Sequence, residues 1–449
     1  MKVLLLAHTF APYNAIGAIR ATKLAEHLLA SGHDVRVITG APLPYPGTLA
    51  ASFPAERVLA TRWRRVEAPL DMLRARIGDR VRQESAPGPA GAGTLVPGRR
   101  SLAERGVRAY RNLISIPDAQ AGWIPYAVAA GKKLFTGWRP DLVYSSALPF
   151  SSHIVASRLA RMAGCPWVGE YRDLYSGHPF GGPWQLRERL NIALEQRVMR
   201  TASAIVSVSP RMTDYLAALH GKPAVTIMNG FDPADFDRAP LPVARTDPHK
   251  TSIVYTGSIY AGRYDPGPLL EALRRLGEAG QHFELRFFGD LVETVRPMAE
   301  ARGVGHLVET HRPVPYLTAL GLQKAADILL LLLWDNPAGK AVVTGKVFEY
   351  AGSGRPILSI GCEDGAAATL VRERGLGLAS SDPAEIAAFL SKMAGMKRAT
   401  GRTCRDGAET AAAGLSRREQ FLELEAFLDR HGLLVPAKGC QVLPGDRTA

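Results

Sequence analysis

The sequence predicts an α/β fold built twice over, two parallel sheets in tandem with helices on their faces. Three observations predict it. Apolar runs of strand length alternate with amphipathic stretches of helical period, the pattern of successive βα units. The pattern restarts after a polar, proline-containing stretch at 241–250. The chain of 449 residues is also long enough for two domains with separate cores.

In the first half, residues 3–6 predict a strand and 19–30 a helix, with Ile19, Leu24, Leu28 and Leu29 on one face. Gly32 and His33 end that helix, and 35–39 is the next strand. Further strands are expected at 142–145, 167–170 and 204–208, with helices at 152–162 and 186–199 between them. In the second half the order is strand 252–256, helix 268–278, strand 283–288, helix 316–325 and strand 328–333. Expected boundaries are 1–240 for the first domain, 251–410 for the second, 411–432 for a helix returning to the first, and 433–449 for a polar tail.

Composition narrows the class. Hydrophobic residues at 46% and charged residues at 22% are ordinary for a globular protein. The formal charge of +13 is not ordinary, and it favours an acidic partner or substrate. Cys165, Cys362, Cys404 and Cys440 form no C-x-x-C pair, so neither a zinc site nor a disulfide frame is indicated and a reducing cytoplasm fits. The N-terminal apolar run, 3–7, is shorter than a signal-peptide core and reads as a buried strand. No run reaches the roughly 18 apolar residues of a membrane span.

One stretch breaks the pattern. Between Arg57 and Arg111 there are thirteen arginines against five acids, with helical pieces at 70–81 and 102–113 around a Gly/Pro-rich middle. Such an insertion, near 57–116, suits an anionic membrane surface. Only Trp63 and Tyr110 interleave its arginines, which argues against single-stranded nucleic acid as a partner.

The most informative segment is 342–360, VVTGKVFEYAGSGRPILSI. It follows the apolar strand 327–334 and a loop bearing Gly339 and Lys340. Thr344 is placed to cap a short helix through its side chain. The helix start, at Gly345 and Lys346, offers free N–H groups and a positive dipole end to a phosphate. Glu349, one turn on, can accept two hydrogen bonds from a vicinal diol such as a ribose. A phosphate grip and a diol grip on one helix are what a nucleotide-sugar site needs. The first turn, by contrast, has only Gly17 where a dinucleotide fold requires G-x-G-x-x-G.

Taken together, these motifs resemble the GT-B retaining glycosyltransferases of family 4, over roughly residues 1–430. The opening strand, the loop with Pro12 and Gly17, and GHDVRVIT are similar to that family's start. The stretch 145–175 carries its Arg-Asp-Leu-aromatic motif at Arg172 and Asp173, and IMNGFDPADF its Asn-Gly-aromatic-Asp signature. The loop after 252–256 occupies the place of a Gly-Arg-Leu…Lys-Gly loop. Gly257 matches, Ser258 stands at the arginine position, and Arg263 is a displaced basic residue. Of the paired glutamates, Glu349 matches the second and Ala341 stands at the first.

The resemblance implies two Rossmann-like domains facing across a cleft and transfer of a sugar, with retention, from a nucleoside diphosphate sugar to an acceptor hydroxyl. It implies diphosphate contacts at Arg263, Lys346, Thr344 and Gly345, further donor contacts at Gly257 and Ser258, and a ribose contact at Glu349. Gly17 and Arg172 fall on the acceptor side, with Asp173 and His153 as candidate catalytic groups. No metal or cofactor is expected beyond the donor. The expected acceptor is a glycan or lipid-linked saccharide at the cytoplasmic face of a membrane. Three other classes stay open: a nonhydrolysing nucleotide-sugar epimerase, a noncatalytic nucleotide-sugar-binding protein and a nucleic-acid binder.

Overall fold

A computed structural model describes residues 1–49, 51–64, 116–176, 185–240, 249–260, 262–335, 340, 343–403 and 408–434, with backbone alone at 16, 185, 186, 408 and 409. Most of the basic insertion, most of the linker stretch, Gly339, Ala341 and the tail from 435 lie outside these residues. The chain divides into two compact units, Met1–Thr226 with Glu425 onward, and Ile227–Leu424. The division falls ahead of the stretch read as the linker.

The first unit contains a seven-stranded parallel sheet in the order β3-β2-β1-β4-β5-β6-β7. Its strands are β1 (Lys2–Ala7), β2 (Asp34–Gly40), β3 (Val58–Thr61), β4 (Leu142–Ala147), β5 (Trp167–Tyr171), β6 (Ala204–Ser207) and β7 (Ala224–Thr226). Central strands of such a sheet are covered on both faces and therefore read as unbroken apolar runs. Val3, Leu4, Leu5 and Leu6 accordingly have no exposed surface. Strand order reverses between β1 and β4, so the connections on either side run outward in opposite directions. The reversal leaves a crevice at the carboxyl ends of those two strands.

The second unit repeats the plan with six parallel strands, β10-β9-β8-β11-β12-β13. These are β8 (Thr251–Thr256), β9 (Phe283–Phe288), β10 (Val308–His311), β11 (Ile328–Leu332), β12 (Ile357–Ile360) and β13 (Gly377–Ala379). The reversal here is between β8 and β11. Side chains of β11 alternate between two apolar layers. Ile328, Leu330 and Leu332 join one layer with Ile253 and Tyr255, while Leu329 and Leu331 join another with Val347 and Phe348. The helix that carries Lys346 and Glu349 is thus bolted to the sheet from beneath.

Among the described residues the expected strands and helices are present, with small shifts at their ends, while the helical pieces expected at 70–81 and 102–113 lie outside them. One correction concerns the helix expected at 268–278. It ends at Arg275 and gives way to a 3-10 turn at Gly277–His282, because Gly277 takes a left-handed φ of 55° that an α-helix cannot hold. The Arg417–Arg430 helix closes the described chain. From Glu425 it belongs to the first unit, where that carboxylate lies 3.5 Å from His27 and 3.8 Å from His33.

Leu330 is wholly buried in the central strand of the second sheet. Leu330→Ala is expected to lower unfolding free energy by about 2–5 kcal/mol in a denaturant titration, the cost of the lost contacts and the cavity.

Candidate functional site

Each unit holds its own group of candidate residues at its strand-order reversal. In the second unit the group is built around Lys346. Its helix, Gly345–Gly352, opens at Thr344, whose backbone is extended (φ −62°, ψ 143°) as at a helix cap. The Thr344 carbonyl accepts from Val347 N at 3.2 Å. Its side chain makes no capping bond, which corrects the expected cap. Among the described residues nothing stands within 4 Å of where a Gly345 side chain would begin.

Lys346 folds back across the reversal onto β8. Its Nζ donates to the Tyr255 hydroxyl at 3.3 Å and stands 4.6 Å from the centre of that ring. Tyr255 in turn donates to the Ser258 carbonyl at 2.9 Å. Gly257 lies against the ammonium with φ 146°, and any Cβ there would collide with Lys346 Nζ. The glycine that the sequence singled out is needed both for its backbone angle and for the approach of this lysine. Burial lowers the Lys346 pKa to about 8, against the opposing pull of Glu349.

Glu349 sits one turn further along and accepts from Gln323 Nε2 at 3.4 Å. Burial raises its pKa, while Gln323, Arg417 and Lys346 oppose the rise. Gln323 also donates to Thr256 Oγ1 at 3.0 Å and so ties the glutamate to the end of β8. Ser258 Oγ donates to Asp290 at 3.4 Å. Arg263 is exposed at its loop. Its guanidinium stacks over Trp334, 4.5 Å from the ring centre, just beyond the end of β11. Gly257, Ser258, Lys346 and Glu349 are therefore brought together, with Arg263 held on an aromatic platform at the end of a neighbouring strand. Tyr255, Gln323 and Trp334 are additions that no motif marked.

In the first unit a cavity of about 940 Å³ opens beside the β1/β4 reversal, and its lining includes His8, Gly17, Trp63, Asp118, Arg172, Tyr175 and Arg187. Arg172 follows β5 and is anchored by two carbonyls, with Nε to Ala147 O at 3.0 Å and Nη2 to Leu148 O at 2.5 Å. Its remaining nitrogen, Nη1, lies against Gly17, where a Cβ would strike it. Gly17 is in the first turn of the Ile16–Ala30 helix, which has no acidic residue there and no side-chain cap. A guanidinium and a helix N-terminus are two positive ends. Their meeting in one cavity favours an anion between them.

Beneath this cavity Arg20 and Glu170 form a buried ion pair at 2.9 Å. Glu170 also accepts from Tyr144 OH at 2.9 Å and Ser146 Oγ at 2.5 Å. Burial alone would raise the Glu170 carboxyl. Arg20 and Ser146 outweigh that and hold it below the usual carboxylate range. Asp118 caps the start of the Ser151–Ala163 helix, accepting from Ser151 N and Oγ, both at 2.7 Å.

The other two first-unit candidates are placed elsewhere. His153 has no exposed surface. Its Nδ1 is 2.8 Å from Ser145 Oγ, and its ring lies among Phe150, Trp167 and Tyr171. Burial takes its pKa down to about 3, so it is neutral at any physiological pH. Asp173 is exposed and accepts from Leu174 N at 2.9 Å. Arg172 makes its bonds to backbone carbonyls, so the two are not a simple side-chain pair. The sequence missed His8, which lines the cavity and is held edge-on by Trp63 and Trp123.

Two Rossmann-like parallel sheets, each with its polar residues at the point of strand reversal, define the chain as a protein of the GT-B glycosyltransferase fold. Residues 17–230 match the model of the glycosyl transferase 4-like domain. Sucrose-phosphate synthase from Thermosynechococcus elongatus superposes with a TM-score of 0.60 at 15% identity, over 96% of this chain and 98% of that one. HepE of Anabaena, solved with UDP and glucose, gives 0.56 at 13% identity over 96% and 100%. WaaG, a glycosyltransferase involved in lipopolysaccharide biosynthesis, gives 0.53 at 15% identity over 95% and 99%. At these identities the likenesses establish the fold. None of the curated proteins matches the chain.

Two predictions follow from this geometry. Arg20→Met leaves Glu170 without its buried counter-ion and is expected to cost about 3–5 kcal/mol of stability at neutral pH, read by chemical denaturation. The second concerns pH. Lys346 is a cation below about 8 and neutral above it. Calorimetric affinity for inorganic pyrophosphate is therefore expected to fall as pH rises through that value in the wild type. The fall should be absent in Lys346→Arg, whose guanidinium stays charged.

Proposed function

We propose that this chain is a retaining glycosyltransferase that moves a sugar from a nucleoside diphosphate sugar to an acceptor hydroxyl, in surface polysaccharide or glycolipid biosynthesis. The observation that carries the proposal is the pairing of Lys346 and Glu349 on one short helix, with Gly257 making room for the ammonium. Support for the donor class comes from HepE, whose structures hold UDP, glucose and UDP-glucose. Support for the pathway comes from WaaG.

In this proposal Lys346, Arg263 and the N–H groups at Thr344 and Gly345 hold the diphosphate, while Glu349 accepts from the ribose hydroxyls. The bond from the anomeric carbon to the diphosphate oxygen breaks, and the diphosphate keeps the electron pair. The acceptor oxygen then bonds to the anomeric carbon, on the face the diphosphate has left, and its proton passes to the leaving group. Catalysis lies chiefly in stabilising the departing charge, and preorganised cations and amides do that without a metal. Arg172 and Gly17 serve the acceptor side, with Asp173 at the rim. His153, enclosed by aromatic rings, supports the sheet rather than touching the sugar. In this reading the transfer takes place in the cytoplasm, at the inner face of a membrane.

Ala341 favours a second reading, a noncatalytic nucleotide-sugar-binding protein. The two differ in turnover, since only the enzyme releases nucleoside diphosphate when a donor and an acceptor extract are supplied together.

Isothermal calorimetry with UDP, GDP and ADP and their sugars tests the donor site. One nucleotide is expected to bind the wild type and to bind Glu349→Ala at least about tenfold more weakly, equivalent to about 1.4 kcal/mol. Equal binding to both proteins removes Glu349 from the site. Binding by neither removes the donor proposal.

A further inference from the structure

Three helices of the first unit, Ile124–Leu134, Ser151–Ala163 and Gln185–Met199, follow one another in the chain and pack side by side. They lie on the crossovers into β4, β5 and β6, which step across the sheet in one direction. Right-handed crossovers put all three on the same face. The buried sides of these helices hold the core residues Ala127, Val155, Leu159 and Val198. Their solvent sides carry Lys132, Lys133, Arg158, Arg161, Arg189 and Arg197, all exposed.

The charge on this face is one-sided. Of the acids on the three helices, Glu195 is buried and Glu188 only partly exposed. Among the described residues none of the six cations is held in an ion pair. Two other helices pair their cations with acids of their own. On Gly267–Arg275 the arginines Arg274 and Arg275 both engage Glu271, and on Ile16–Ala30 Lys23 faces Glu26 at 3.8 Å. Two apolar side chains, Met162 at 41% and Leu190 at 42% exposure, stand among the cations.

We infer that this three-helix face docks the protein on an anionic lipid bilayer. A row of cations along one flat layer matches a surface of like negative headgroups, each basic residue contributing on the order of a fewfold in partitioning. Exposed Met162 and Leu190 suit insertion at the headgroup boundary. Nucleic acid is the competing polyanion, but single strands are gripped by stacking on aromatic rings. Tyr126, partly exposed, and buried His153 are the only ring-bearing residues of the three helices. Among the described residues no helix is long and apolar enough to cross a membrane, so this contact is one of surface attraction. The inference rests on exposed charge and does not depend on the proposed reaction.

Vesicle co-sedimentation of the full chain tests it. The protein is expected to pellet with vesicles of phosphatidylcholine mixed with phosphatidylglycerol, to remain free with phosphatidylcholine alone, and to be released by salt. The variant Arg158→Glu/Arg161→Glu/Arg189→Glu/Arg197→Glu is expected to partition at least about tenfold less. The corresponding Arg→Gln variant should fall between it and wild type, and Lys392→Glu/Arg398→Glu on the second unit should leave binding unchanged. Thermal unfolding and far-ultraviolet circular dichroism confirm that each variant is folded. Vesicle binding that survives the fourfold reversal, or that falls equally in the second-unit control, overturns the inference. So does a reversal that abolishes binding to duplex DNA while sparing the vesicles, which would assign the face to nucleic acid.

Discussion

The constraint on which the rest depends is the reversal of strand order in each sheet. Parallel strands all end at the same edge, and helices return the chain over one face or the other. Where successive connections turn outward to left and right, no helix or loop fills the gap between the two central strands. In the first unit that gap lies between β1 and β4, and Gly17, Arg172 and His8 gather there. In the second it lies between β8 and β11, and Gly257, Arg263 and Trp334 lie on the loops leaving those strands. Neither group is contiguous in sequence. The topology makes them neighbours.

A second regularity is electrostatic. Each reversal places a fixed cation beside the start of a helix, two positive ends together. Arg172 is anchored by carbonyls against the Gly17 turn. Lys346 is partly desolvated over Tyr255 within the first turn of its own helix, and its lowered pKa records what that burial costs the charge. Two positive ends held together favour an anion between them, and such a site is preorganised for one. Glycine at both places leaves room where a side chain would occupy the position the cation needs.

Much of this was legible in the sequence, and the parts that were not have physical causes. Buried central strands such as 3–6 and 328–333 announce themselves as apolar runs because both their faces are covered. Edge strands β3, β7, β10 and β13 have only three or four residues and are partly exposed, so they carry no such signal. Lys346, Glu349 and Gly257 could be picked out because their roles are local to a helix start or a turn. Tyr255, Gln323 and Trp334 could not, since each acts across strands through a contact that no spacing encodes. His153 shows the reverse failure. A histidine at a helix start after a strand looks available for chemistry, yet it packs inward among Phe150, Trp167 and Tyr171.

The positive excess read from composition then separates into two kinds of cation. A ligand site uses few of them, held by carbonyls, rings and buried neighbours, because an anion of defined shape must be met at defined distances. In the proposed reading Arg172, Arg263 and Lys346 are of this kind. A diffuse surface needs many and needs no geometry, since a sheet of headgroups offers no fixed partner. Lys132, Arg158 and Arg189 fit the second kind, exposed on helix faces and outside any ion pair among the described residues. Had the excess charge served solubility alone, it would be scattered and interspersed with acids, as on the helices where Glu271 and Glu26 sit beside their basic neighbours. The cations gathered on three adjacent helices therefore point outward, to a broad anionic partner.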